Sequence, residues 1–143
     1  MRAFSGVSYH RLDAKNHLFI PQRYRDPGVT AYVLTSGIDS CVVMYSRPRW
    51  DDVVKRIESL SLRNKAYQRA FVRLFFADAE EVELDRHGRI RIACSVAERY
   101  RLGGEVALVG VRDRVEIWNR DAWERYYRES FRVLARVRTQ LDI

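Results

Sequence analysis

An α+β fold is predicted for this chain: two tandem strand-hairpin units closing on each other as a pseudo-two-fold β-barrel with helices packed against it. Three observations lead there. A stretch of sequence recurs with an offset of 72 to 73 residues, short β-branched runs are split by turn residues, and three segments carry apolar residues at helical spacing.

The recurrence starts with Leu12-Asp13-Ala14-Lys15-Asn16-His17-Leu18-Phe19-Ile20-Pro21, echoed by Leu84-Asp85-Arg86-His87-Gly88-Arg89-Ile90-Arg91-Ile92-Ala93, an offset of 85 − 13 = 72. Downstream, Ala31-Tyr32-Val33-Leu34, Cys41 to Tyr45 and Trp50 run parallel to Val106-Ala107-Leu108-Val109, Val115 to Trp118 and Trp123, where the offset is 123 − 50 = 73. Strands, turn and tryptophan recur in one order, which points to duplication. A half of this size would bury only a thin core by itself, so the two copies are expected to share one. One domain of two repeats follows: residues 5–60 and 77–138, joined by an aromatic helix within 61–76.

Each copy is predicted to hold four short strands and then a helix. The first strand ends at Leu12 or Leu84, and the second covers Leu18 to Ile20 or Arg89 to Ile92. The later pairs are split by turns at Gly37-Ile38-Asp39 and Arg112-Asp113-Arg114. Between strands one and two, Asn16 and Gly88 hold equivalent places, and both residue types tolerate positive φ, so the two turns should share a geometry. Ser46 is placed to cap a helix with Trp50, Val53, Val54, Ile57 and Leu60 on one face. Asn64 does the same for Tyr67, Ala70, Phe71, Leu74 and Phe75. Asn119 does so for a long helix with Trp123, Tyr127, Ser130, Leu134 and Val137 on one side and Arg125, Arg128, Arg132 and Arg136 on the other.

The formal charge is +7, from 26 Lys plus Arg against 19 Asp plus Glu, and only three of the cations are lysine. A polyanionic partner is plausible, although a codon bias toward arginine accounts for the excess equally well, so position matters more than count. Position is informative. Residues 1–25 carry Arg2, Arg11, Lys15, Arg23 and Arg25 against Asp13 alone, and residues 86–101 carry Arg86, Arg89, Arg91, Arg99 and Arg101 against Glu98. Residues 77–85 instead concentrate five carboxylates. A basic β-ribbon fits the major groove of duplex DNA, where arginine pairs with phosphate or with guanine O6 and N7. The alternative for such cations is interstrand ion pairing. Asp13 and Asp85 are expected to shape the turns by accepting backbone N–H bonds, since a carboxylate aimed at phosphate would repel it.

Enzyme chemistry finds no foothold: there is no Gly-rich phosphate loop, no metal-ligand spacing and no nucleophile–base pattern, so no cofactor, metal or small-molecule substrate is expected. His10, His17 and His87 are predicted to be turn and surface residues, Cys41 and Cys94 buried thiols, and Trp50 and Trp123 core anchors. The opening residues lack an apolar signal core and no apolar run spans a bilayer, so a cytoplasmic protein without membrane contact is expected.

The repeated Asp-x-x-x-Arg hairpin, the Leu-Asp-Ala-Lys opening with Phe-Ile-Pro after it, the Phe-Val-Arg-Leu-Phe-Phe helix leading into Glu-Val-Glu-Leu-Asp, and the closing Leu-Val-Gly-Val-Arg-Asp-Arg-Val-Glu-Ile-Trp together resemble the MraZ family. The likeness covers roughly residues 4 to 134 in the family's order. It implies two AbrB-like swapped-hairpin halves, ring-shaped homo-oligomers, and nucleoid-associated regulation of transcription at direct repeats upstream of the division and cell-wall genes. It also implies DNA contact through the Asp-x-x-x-Arg hairpins, carried here by Asp13, Lys15 and position 17, and by Asp85, Arg86 and Arg89; Arg11 and Arg91 flank them. Two departures stand out: His17 replaces the family's arginine, with Asn16 for the glycine before it, and Ala93-Cys94-Ser95 stands where a proline is expected. Neutral histidine lacks arginine's permanent charge and five-donor fork, so the second hairpin should dominate. The competing readings are an antitoxin-type protein-interaction module and a regulator homologue with weakened DNA binding.

Overall fold

The β-branched runs and their turns fold, in a computed structural model describing residues 2–143, into eight strands and four helices. The first copy contributes β1 (Val7–Arg11), β2 (His17–Phe19), β3 (Ala31–Ser36), β4 (Val42–Ser46) and α1 (Arg47–Glu58). After α2 (Lys65–Ala77), the second contributes β5 (Glu80–Glu83), β6 (Arg89–Arg91), α3 (Cys94–Arg99), β7 (Glu105–Val111), β8 (Arg114–Asn119) and α4 (Arg120–Val137). Four strands then a helix is thus the pattern in both, with 3-10 turns at Gln22–Tyr24 and Arg138–Gln140. The short α3 was not expected. It stands where the first copy has its 3-10 turn, is too brief to show a periodicity, and adds Val96 and Ala97 to the core.

The strands pair across the copies rather than within them. β1 joins β7, and β5 joins β3, both antiparallel. β2 pairs with β6 in a separate two-stranded ladder centred on Leu18↔Ile90, and β4 pairs with β8 through Val43↔Glu116. Those central pairs are sequence equivalents, since 90 − 18 = 72 and 116 − 43 = 73, so each ladder is crossed by one two-fold relation. The same relation corrects the sequence alignment by one residue. Tyr9 pairs with Ala107 and its equivalent Glu81 with Val33, so Val33 matches Ala107 and Tyr32, not Ala31, matches Val106.

The sheet runs β1-β7-β8-β4-β3-β5 and does not close, so the expected barrel is replaced by an open six-stranded sheet. The second strand of each copy leaves that sheet to form the β2–β6 ladder, and among the described residues no strand remains to join edges β1 and β5. The ladder covers one face: Leu18, Ile20, Ile90 and Ile92 are fully buried against Leu34, Met44, Leu108 and Ile117. The other face, with Val33, Val43, Tyr45, Ala107 and Trp118, is covered by helices through Trp50, Phe75 and Trp123. Covered on both faces, β3 and β4 read as continuous apolar runs. Trp50 stacks on Phe75 at 5.3 Å and Trp123 meets Trp118 edge-on at 5.5 Å, the core role predicted for both tryptophans. No helix among the described residues is long and apolar enough to cross a membrane.

Asn64 and Asn119 cap α2 and α4 as predicted, accepting from the amides of Tyr67 and Ala122 at 3.0 Å. Ser46 stands at the N-cap of α1 but does not cap it, because its hydroxyl donates to Asp26 Oδ2 at 2.5 Å. Asp26 also receives a two-pronged pair from Arg49, Nε to Oδ2 and Nη2 to Oδ1, each 2.9 Å. Arg49 lies over the Phe4 ring and donates to the Arg2 carbonyl, so one guanidinium ties the N-terminal segment, the 21–30 loop and α1 together. Burial opposes the Asp26 charge, but the bonds from Arg49 and Ser46 outweigh it and hold the carboxyl below its ordinary value.

Removing one member of such a pair strands the other in the interior, so Arg49→Ala should cost about 3–5 kcal/mol of stability in urea unfolding at pH 7. Because the folded Asp26 value is depressed, its contribution is complete above the ordinary value of 3.8 and is lost as pH falls through the lower, folded one. The Arg49→Ala penalty should therefore shrink in strong acid. A penalty independent of pH would rule the ion pair out as its source.

Candidate nucleic-acid interface

The two hairpin tips share one hydrogen-bond scheme. Asp13 Oδ1 accepts the amides of Lys15 and His17 at 2.8 and 2.9 Å, and Asp85 Oδ1 accepts those of His87 and Arg89 at the same distances. Asn16 and Gly88 donate to the carbonyls of Asp13 and Asp85 at 3.0 Å, and both adopt the predicted left-handed backbone, φ 62 and 76°. Asp13 and Asp85 are held ionised below their ordinary value, foremost by the amides of His17 and Arg89. Both carboxylates therefore point into their own turns. Each tip also meets the other copy, because Ile92 donates to the Asn16 carbonyl and Ile20 to the Gly88 carbonyl, both at 2.9 Å.

Between the tips, strand alternation sorts the ladder into two faces. Leu18 and Ile90 point into the core, leaving His17 opposite Arg91 and Phe19 opposite Arg89 on the outer face. The structure thus brings the second strands of both hairpins, 72 residues apart in sequence, into one outward surface. Lys15 and Arg86 stand exposed in the tips beside it.

The cations divide into two groups. Among the described residues, Lys15, Arg86 and Arg91 form no ion pair, and Arg11 has only a 3.8 Å cross-strand contact with Glu105. Arg89 is bound in place: its Nε donates to Asp85 at 3.0 Å and its Nη1 reaches Asp13 of the other hairpin at 3.4 Å. His17 Nδ1 approaches Asp13 Oδ2 to 3.3 Å, but off the direction of a hydrogen bond, and stays without a hydrogen-bond partner. His17 approaches Asp13 alone whereas Arg89 reaches both Asp85 and Asp13, so the two hairpins are not reciprocal.

The profile of a family described as "MraZ protein, putative antitoxin-like" matches residues 3–74 and again residues 75–141. The chain belongs to the MraZ family. Among the relatives, Transcriptional regulator MraZ of Moorella thermoacetica is 41% identical over 143 residues, which is 98% of this chain and 99% of that protein. The protein of the same name from Pelotomaculum thermopropionicum is 42% identical over 123 residues, 86% of this chain and 84% of that one. That from Lactiplantibacillus plantarum is 39% identical over 127 residues, 89% of each. The family model thus matches the chain twice in tandem, and the relatives are named regulators of transcription.

Several predicted residues of this MraZ chain sit differently from expectation. His10 lies in β1, half-buried and bonded to Ser8 Oγ at 2.8 Å, where burial and then the nearby Arg23 lower its pKa. Cys41 is buried, which raises its thiol pKa, whereas Cys94 is exposed at the start of α3. At the start of α4, Arg120 takes Glu124 at 2.9 Å and Glu105 at 3.0 Å, while Arg125, Arg128, Arg132 and Arg136 form no ion pair among the described residues. No group of three His, Cys, Asp or Glu among the described residues is placed to hold a metal ion. Two neighbours of the outer face, Phe19 and Arg25, carry no overt sequence signal for that place. Phe19 was hidden inside the apolar run Leu18-Phe19-Ile20, although strict alternation turns it away from both neighbours. Arg25 folds back so that its Nε donates to the Ile20 carbonyl at 2.7 Å, a loop geometry without a sequence signature.

The left-handed turns make unequal demands. A Cβ on Gly88 would stand 2.3 Å from Arg25 Nη2 and 3.1 Å from the Phe19 ring, at positive φ. Gly88→Ala should lower stability by about 1–2 kcal/mol, whereas Asn16→Gly should change it by less than about 1 kcal/mol. Paired thermal melts test this; equal losses would mean that the crowding around Gly88 sets no demand beyond that at Asn16.

Proposed function

We propose that this chain is a sequence-specific DNA-binding transcriptional regulator acting as a homo-oligomer on direct repeats upstream of the division and cell-wall gene cluster. One observation carries the reading: the second strands of both hairpins form one ladder whose outer face is free of the core and carries Arg89 and Arg91, beside the exposed tip cations Lys15 and Arg86. A two-stranded ribbon fits the major groove, and the residues predicted to touch DNA lie on it or in the hairpins that carry it: Arg11, Lys15, His17, Arg86, Arg89 and Arg91. Arg89 is the base-directed member, because two carboxylates orient its fork before DNA arrives, while Lys15, Arg86 and Arg91 serve phosphates. Asp13, Asn16, Asp85 and Gly88 shape the turns.

The exchange of strands between copies supports one AbrB-like swapped-hairpin domain, with repeats at 5–60 and 77–138 and residues 61–76 connecting them. A ring-shaped homo-oligomer is supported by apolar surface that the single chain leaves open. Tyr67 and Leu74 on α2, and Tyr127, Phe131 and Val133 on α4, are all more than half exposed. Several subunits meeting several repeats would turn weak ribbon contacts into firm binding. Such a regulator works in the cytoplasm, on the nucleoid. The same open surface also favours a second reading, an antitoxin-type module that holds a partner protein, and His17 leaves room for a homologue with weakened DNA binding.

A salt-resolved titration of the protein against duplex DNA from its own upstream region, with scrambled duplex as control, separates these readings. Equal affinity for both duplexes would remove the operator and leave the protein-interaction reading. Given a preference, Arg89→Ala should weaken operator binding by about 1–3 kcal/mol, more than His17→Ala, and His17→Arg should tighten it. The opposite order would show that the first hairpin leads. Light scattering at micromolar concentration should give a multimeric mass; a strict monomer would end the multivalent part of the reading.

A further inference from the structure

We infer that Phe19 is a base-reading residue of the ribbon, contacting the 5-methyl group of a thymine in the major groove; this rests on the DNA-binding reading above. An isolated apolar side chain at the surface needs no explanation, but this one is neither isolated nor loose. Phe19 is 46% exposed on the outer face of the β2–β6 ladder, in register with Arg89. It is the only apolar residue among the four that make this face, the others being His17, Arg89 and Arg91. The Arg25 guanidinium lies 5.7 Å from the ring centroid, and the His10 ring is tilted against it at 6.4 Å. The ring edge rests on the second tip, where only a glycine leaves space for it. The aromatic ring is thus held at the junction of the two hairpins, beside the arginine fork best placed for a guanine edge.

The major-groove edge of an A·T pair differs from that of G·C by an apolar group as well as by its donors and acceptors. Thymine presents a methyl that phenylalanine reads by contact alone. Arg89 and Phe19, adjacent across one ladder, would read neighbouring positions by two different chemistries. By the two-fold relation the position equivalent to Phe19 is Arg91, since 91 − 19 = 72, so the apolar reader exists once in the chain and the surface has a direction. Arg25 acts as a positioning residue, lying over the ring and fixed by its bond to the Ile20 carbonyl.

Replacing thymine by deoxyuridine in the upstream duplex, one position at a time, removes the methyl and leaves every hydrogen-bonding group in place. Wild-type protein should lose roughly four-fold in affinity at one thymine per repeat, the effect of about one buried methyl group. Phe19→Ala should bind the unmodified duplex more weakly and show no further loss on deoxyuridine, and Phe19→Leu should keep part of the penalty. Circular dichroism melts of both variants report folding. If wild type prefers its upstream duplex over the scrambled one yet ignores every deoxyuridine, or if Phe19→Ala retains the full penalty, the inference is wrong while DNA binding stands. A wild type without preference for the upstream duplex removes the operator reading and this inference with it. A change of oligomeric mass in Phe19→Ala, with the methyl penalty intact, would assign the ring to a subunit contact instead.

Discussion

The antiparallel contact between β2 and β6 is the constraint from which the rest of the structure follows. Each strand has only three residues, too few for an independent ladder, and it persists because Leu18 and Ile90 are driven fully into the core at its centre. Once they meet there, each hairpin tip must land beside the other copy's second strand, where the Asn16 and Gly88 carbonyls find the amides of Ile92 and Ile20. The first strands must then cross to opposite ends of the sheet, β1 onto β7 and β5 onto β3. The sheet stays open because its second strands are engaged elsewhere. The same engagement turns one face of the ladder outward.

The scaffold obeys a two-fold relation and its side chains do not. The tips match bond for bond, yet Arg89 reaches two carboxylates while His17 stays beside its own. The edge strands differ in sign: β1 ends on Arg11, whereas β5 carries Glu80, Glu81 and Glu83. The buried pair of Arg49 and Asp26 is likewise confined to the first copy, since Ala122 stands at the position equivalent to Arg49. Backbone geometry demands that a turn be closed and a strand be paired, and leaves outward side chains unconstrained. The differences at His17 and along the two edge strands fall at such outward positions, and the buried Arg49–Asp26 pair is the exception. A polyanion would meet cations toward the β2–β6 ladder and repulsion along the β5 edge, which orients any approach.

Packing is uneven along the chain. The sheet and the first turns of α4 share one continuous core, but α4 contains no buried residue and its far half projects with Phe131 and Val133 uncovered. Its arginines at 125, 128, 132 and 136 form no ion pairs among the described residues, so the helix is held by neither packing nor charge pairing beyond its beginning. An amphipathic helix in that condition gains most from a partner against its apolar side.

What the sequence determined by itself was local. Asp13 and Asp85 as turn acceptors, the left-handed places of Asn16 and Gly88, the Asn64 and Asn119 caps, and the core tryptophans were all legible, because each depends on residues within about four positions along the chain. The repeat was legible for a different reason, since duplication preserves order. Tertiary structure decided which strand each strand would pair with, and therefore the open sheet in place of a barrel. It also drew Ser46 from its helix cap to Asp26, and set Phe19 and Arg25 on the outer face. A β-strand carries the same donors and acceptors on either edge, so its sequence specifies which side chains seek the core without naming the partner. That partner is chosen only when both copies bury their apolar faces together, and the outer face of the β2–β6 ladder exists only after the choice is made.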